Sequence, residues 1–280
     1  MTYITASPAD RERAERETSE LAEACSRRFV VALFINPDKP QLVGSGFFVQ
    51  DGGREFLVSA AHVFDEFESA YYSDRGIPPD LFVYTDRGEV RNLGGRLLRP
   101  RANSPHRRYD IGVLQLGGEP IAWGSERRES VPLDVVRRYL TLEPKEQLFL
   151  LAGYPESRAR ASSHPTKRLD AKPHGMVGPA VHDARYDPRE FVLMEFDQEK
   201  DVTFYGDKTP RRFPNPRGMS GSPIWALHYD VDWHPTAVVV GVTIAQDKKN
   251  RMVIGSRILP AIAMIDSLLA GGALDPAPAG

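Results

Sequence analysis

The chain has 280 residues, 41% of them hydrophobic and 26% charged, enough to bury one large core or two modest ones without covalent staples. Lys plus Arg number 36 against 38 Asp plus Glu, a formal charge of −2 that lacks the basic footprint of a dedicated nucleic-acid binder. The single cysteine, Cys25, cannot form an intramolecular disulfide, so a secreted disulfide framework is excluded and a reducing, cytoplasmic compartment is expected. The opening residues carry no apolar segment of the kind a secretory signal needs, and the longest apolar runs are only strand length, so neither export nor a membrane span is expected.

From Ala9 to about Arg28, Glu, Arg and Ala alternate with Leu21, Ala22 and Cys25 on one edge, which predicts a helix lying on the body of the protein. An all-β rhythm follows: short Val-, Ile-, Phe- and Leu-rich runs broken by Gly, Pro, Asp and Asn. Strands are predicted at 29–35, 42–50, 56–59, 81–84, 90–98, 111–116, 147–153, 175–183, 191–196, 223–227, 237–246 and 252–256. That many short strands points to barrels or a sandwich. Helices are predicted at 133–140 and 258–270, the latter ending at Gly271-Gly272, and residues after 270 are too poor in apolar side chains to pack.

Three segments carry chemistry. In Ser59-Ala60-Ala61-His62, small residues let a helical turn follow a strand closely and put a histidine at the strand's end. Upstream, Gly44-Ser45-Gly46 reads as a strand that admits a close backbone approach. In Asp110-Ile111-Gly112-Val113-Leu114 a carboxylate starts an apolar strand, where partial burial demands a partner. In Gly218-Met219-Ser220-Gly221-Ser222-Pro223 the glycines let N–H groups converge while the serine stays accessible. A hydroxyl becomes a useful nucleophile only with a base to take its proton and a third group to hold that base.

Taken in that order, the three motifs resemble the chymotrypsin-like (trypsin-like) serine peptidases, in the disulfide-free bacterial form similar to high-temperature-requirement proteases. The resemblance spans about 29–270. It implies two antiparallel six-stranded β-barrels, the first at about 29–125 and the second at about 141–270 with a C-terminal helix, preceded by a helical extension at 1–28 and followed by a tail at 271–280. It further implies Ser220 as nucleophile, His62 as base, Asp110 as the group orienting His62, and the N–H groups of Gly218 and Ser220 as an oxyanion hole. Pro214 would lie at the base of the specificity pocket with Arg217 nearby, and Ile244, Ala245 and Gln246 would pair with substrate backbone. No metal or cofactor is implied. The implied partner is a protein or peptide substrate, joined by an activating partner if the 207–217 run before the nucleophile must be ordered.

Two departures stand out. Ser222 replaces the glycine found two residues after the nucleophile in most members, and Met219 replaces the aspartate that captures a new N-terminus in secreted ones. Activation by N-terminal insertion is therefore not expected. An α/β-hydrolase is excluded, since its elbow needs that same glycine and its histidine follows the serine. No phosphate-cradling loop is present. The six remaining histidines lack metal-ligand spacing and read as surface or loop residues, and the paired arginines as solvated loops. The resulting expectation is a cytoplasmic serine endopeptidase of restricted specificity, acting in a bacterial stress or defence pathway. The rival is a catalytically silent pseudoprotease that binds a peptide or protein in the same cleft.

Overall fold

The computed structural model describes residues 7–35, 40–72, 81–84, 90–93, 95–100, 105–117, 128–142, 146–161, 169–171, 173–196 and 214–271. Most of the 207–217 run and all but the first residue of the predicted tail lie outside them. The described chain opens with α1 (Pro8–Phe29). Ser7 caps it by accepting the Asp10 N–H at 3.1 Å while the Asp10 carboxylate accepts the Ser7 N–H at 3.3 Å, a reciprocal capping box with proline in the first turn. Its buried stripe is Ala14, Thr18, Ala22, Cys25 and Ser26, all small, which lets the helix lie close on the sheets behind it.

The first sheet comprises β1 (Val30–Ile35), β2 (Gln41–Asp51), β3 (Arg54–Ala60), β4 (Phe82–Tyr84), β5 (Val90–Asn92), β6 (Gly95–Leu98), β7 (Ile111–Leu116) and β8 (Val131–Pro132). Its order is β5-β4-β1-β2-β3-β7-β6, with β8 adding a short parallel pair beside β2. The run predicted as one strand at 90–98 divides into β5 and β6, which are consecutive in the chain yet lie at opposite ends of this path. Counted as one, they close the sheet into a curled antiparallel six-stranded half-barrel. Helix α2 (Ala61–Tyr72) follows β3 and α3 (Leu133–Thr141) follows β8. At α2 only a turn is predicted, and the helix is longer.

The second half contains β9 (Leu148–Gly153), a small hairpin of β10 (Ala159–Ala161) and β11 (Leu169–Ala171), then β12 (His174–Pro179), β13 (Phe191–Glu195), β14 (Pro223–Tyr229), β15 (Pro235–Asp247) and β16 (Met252–Arg257), ending in α4 (Leu259–Leu269). The six-stranded order is β12-β9-β14-β15-β16-β13, and an Ala180–Met194 bridge brings its two ends together.

Alternation along the strands builds three apolar layers. Leu57 of β3 faces the interior of the first half with Val31, Leu33, Phe48 and Phe64. Phe149 and Leu151 of β9 face the interior of the second with Met176, Ile224 and Val240. The intervening residues, Phe56, Val58, Leu150 and Ala152, turn into a layer shared with α1, α3 and α4. Both halves are thus sealed on two faces, and no disulfide contributes.

Candidate active site

The register of β3 against β7 pairs Ala60 with Ile111, so the residue leaving β3 and the residue entering β7 meet. The Ala61 N–H donates to the Asp110 carbonyl at 2.8 Å, and the His62 N–H donates to Asp110 Oδ1 at 2.9 Å. Asp110 Oδ2 is hydrogen-bonded to His62 Nδ1. A carboxylate can only accept, so Nδ1 carries the proton and Nε2 is left as the basic nitrogen. Asp110 reaches this position with φ +48°, a left-handed conformation that costs a residue with a Cβ on the order of 1–3 kcal/mol and is held here by bonds on its N–H, carbonyl and both carboxylate oxygens. Burial drives the His62 pKa down, but the hydrogen bond and charge of Asp110, with the charge of Glu66, outweigh it and the opposing Arg107. The net result lies above the ordinary histidine value of 6.5. Asp65, one turn along α2 from His62, is bracketed by the guanidinium groups of Arg99 and Arg107.

Ser220 lies in the turn entering β14. Pro216 accepts the Met219 N–H at 2.9 Å, and Gly218, third in that turn, has φ +91°, the signature of a type II turn. The carbonyls of this loop are taken by partners outside it: Arg217 by the Glu156 N–H at 2.7 Å, Gly218 by the Ser45 hydroxyl at 2.9 Å, Ser220 by the Ser45 N–H at 2.8 Å. Met219, Gly221 and Ser222 donate their N–H groups within the fold, whereas those of Gly218 and Ser220 donate to no acceptor among the described residues. Two uncommitted donors separated by one residue are what an oxyanion requires. Gly221 (φ +88°) presses on β2 and on the end of β3, where a Cβ would lie 2.1 Å from Ser45 O, 2.1 Å from Ser59 Oγ and 3.0 Å from Ala60 N. The nucleophile candidate thus stands beside the strand that leads into His62. No hydrogen bond joins the Ser220 hydroxyl to His62 among the described residues; such contacts commonly tighten only when substrate is bound.

The two departures have local explanations. Ser222 is fully buried opposite Gly153, where a Cβ would fall 1.9 Å from Ser222 Oγ and 3.0 Å from its Cβ, so a glycine on β9 makes the space that the extra side chain occupies. Met219 is buried in the second half's interior with Met176 and Ile224, so this position is filled by an apolar side chain.

Of the predicted substrate contacts, Pro214 is buried, and Arg217 is exposed with its guanidinium on Glu156 at 2.8 Å. The β14–β15 ladder stops at Pro223–Val242, while Ala245 and Gln246 pair only with β16, across a bulge at Ile244. Past Val242 the β15 edge on the Ser220 side has no strand partner among the described residues. Sequence reasoning missed Ser45, Asp65, Gly153 and Glu156, whose signals lie in contacts far apart in the chain. It also read His174 and His228 as surface or loop residues. His174 is buried because it pairs with Gly153 in the β9–β12 ladder, and half-buried His228 is hydrogen-bonded to Tyr139.

Among solved structures, human heparin binding protein matches 89% of this chain and 94% of its own at 14% identity, with a TM-score of 0.50. The fold is chymotrypsin-like. At that identity the likeness speaks for the fold alone. No protein-family model matches the chain, and no curated protein matches it significantly in sequence. Within the chymotrypsin-like fold the His62–Asp110 couple belongs to the first half and the Ser220 loop to the second. Among the described residues no helix is long and apolar enough to cross a membrane, and no group of three His, Cys, Asp or Glu side chains could hold a metal ion.

Proposed function

We propose that the protein is a serine endopeptidase. Ser220 Oγ attacks the scissile carbonyl carbon as His62 Nε2 takes the hydroxyl proton, and the resulting oxyanion accepts from the N–H groups of Gly218 and Ser220. Collapse breaks the C–N bond, His62 returns the proton to the leaving amine, and water repeats the sequence on the acyl-enzyme. Asp110 holds the imidazole in the required tautomer and stabilises its charged form. Substrate backbone pairs with the β15 edge at Ile244, Ala245 and Gln246 that has no strand partner among the described residues, and Pro214 and Arg217 border the adjoining pocket. In a reducing bacterial cytoplasm such activity calls for narrow specificity or an activating partner, the role proposed for it in stress or defence.

The observation that carries this reading is the double grip of His62 on one carboxylate, through N–H and Nδ1, beside a serine loop with two uncommitted N–H groups. The rival, a silent cleft that binds a peptide, is favoured by the missing Ser220–His62 hydrogen bond, and the structural neighbour of like fold is named for binding. A fluorophosphonate probe separates the two. Labelling that disappears in Ser220→Ala and His62→Ala is expected. Peptide binding without labelling, in the presence or absence of a partner, makes the chain a binder.

A further inference from the structure

Ser45 is fully buried on β2, 173 residues from Gly218 in sequence, and its side chain and N–H are both spent on the second half of the molecule. Its hydroxyl donates to the Gly218 carbonyl at 2.9 Å and accepts the Tyr154 N–H at 2.9 Å, while its own N–H donates to the Ser220 carbonyl at 2.8 Å. Its carbonyl accepts the Ser59 hydroxyl at 2.7 Å, fixing β2 to the strand that ends at His62.

The central peptide of a β-turn has two orientations related by a flip, which distinguish type I from type II. One presents the N–H of the third residue to the cleft, and the other presents the carbonyl of the second. Here the Arg217 carbonyl is drawn away by the Glu156 N–H, and the next carbonyl, Gly218, is drawn the same way by Ser45. With both carbonyls held on the far side, the Gly218 and Ser220 N–H groups stay uncommitted. A Cβ at Gly218 would sit 2.8 Å from Glu156 N and 2.9 Å from Tyr154 O, so the loop is in close contact with the segment that Ser45 also binds.

We infer that Ser45 is a positioning residue for the proposed peptidase reaction: from the first half-barrel its hydroxyl fixes the Gly218–Met219 peptide, which lies between the two peptides that carry the oxyanion donors and so holds them in place. The inference rests on the peptidase reading for its kinetic consequence but not for its structural one, so two readouts are needed.

In Ser45→Ala the backbone N–H remains and the hydroxyl is lost. Amide hydrogen exchange across 216–222 is expected to rise, with the global unfolding midpoint measured alongside to separate local loosening from general destabilisation. kcat is expected to fall about 10- to 100-fold, short of the ~10²–10³-fold that follows outright removal of an oxyanion donor. KM and the acid limb of the pH profile should hold, because His62 and Asp110 are untouched. Ser45→Thr keeps the hydroxyl and should recover most of kcat; where its methyl group prevents folding, Ser45→Cys serves as a weak-donor intermediate. Unchanged exchange in 216–222 overturns the inference, as does raised exchange with unchanged kcat in a labelling-competent enzyme. Raised exchange in a chain whose wild type never labels leaves the lock standing and refutes the peptidase reading instead.

Discussion

Gly153 and Ser222 form a size pair whose coupling can be measured. Replacing Gly153 with alanine places a methyl group 1.9 Å from Ser222 Oγ, 3.0 Å from Ser222 Cβ and 3.3 Å from Met219 Cε. Rotating the hydroxyl away relieves only the first contact, so β9 or the nucleophile turn must shift. Overpacking of this kind costs about 1–3 kcal/mol. At about 2–4 °C per kcal/mol, the expected fall in Tm is roughly 2–12 °C. Ser222→Gly alone removes a buried hydroxyl with no hydrogen-bond partner among the described residues, so it is expected to be near neutral, the relief of that group offsetting a more flexible backbone. The double variant then regains most of what Gly153→Ala loses, a favourable coupling of about 1–3 kcal/mol. Urea denaturation of the four proteins with a common m-value measures it. Strict additivity would refute the idea that Gly153 is glycine on account of Ser222.

The remaining predictions concern the site and the lone thiol. A base must be neutral to accept a proton, and His62 is raised above 6.5, so kcat/KM should fall as pH drops through a pKa above the ordinary histidine value; a flat profile counts against His62 as base. Asp110→Asn presents an amide donor to Nδ1, forces the proton onto Nε2, and is expected to lower kcat by about 10⁴-fold with little loss of fold. Retained activity in that variant would remove Asp110 from the proposed mechanism. The same raised pKa makes protonated His62 a stabilising feature below its unfolded value, lost as pH rises through the folded one. Burial pushes the Cys25 thiol up to about 12, against a smaller opposing effect of Arg28, so a disulfide-exchange reagent at pH 8 should react only at the rate of unfolding; fast stoichiometric reaction in native buffer would contradict its burial.

Legibility followed the range of the interactions. His62 and Asp110 could be read because each sits at a strand boundary whose pattern is local, and one antiparallel register then brings them together. The length of α2 was equally present in the sequence, since Val63, Phe64, Phe67, Ala70 and Tyr71 recur at helical spacing, but the preceding strand drew attention to a turn alone. The division of 90–98 and the burial of His174 depend on which strand lies alongside, and local composition carries no record of that. Ser45 read as a small residue in a glycine-flanked strand. Its task became visible only when residues 109 and 173 positions away came within hydrogen-bond reach.

A site divided between two half-barrels is only as well defined as their relative placement, and in secreted members of this fold disulfides help to brace the scaffold. Cys25 is free and buried, so the bracing here is noncovalent: a shared apolar layer, and polar contacts beside the place where the chemistry is proposed. From the first half, Ser45 holds the carbonyls on either side of Met219. From the second half, the Ser256 hydroxyl donates to the carbonyl of Tyr109, the residue before Asp110, while Glu190 accepts from the Tyr109 hydroxyl at 3.1 Å and pairs with Arg108. Each half therefore grips backbone at or next to the other's chemical residue, in opposite directions across the cleft. Sliding one half against the other would break the buried contact at Ser45 and the contact at Tyr109 together, leaving polar groups unpaired at a cost of about 1–3 kcal/mol each. A displacement that spoils the site thus also destabilises the interface, because the contacts at Ser45 and Tyr109 that help hold the halves together also place the Ser220 loop beside the strand leading into His62.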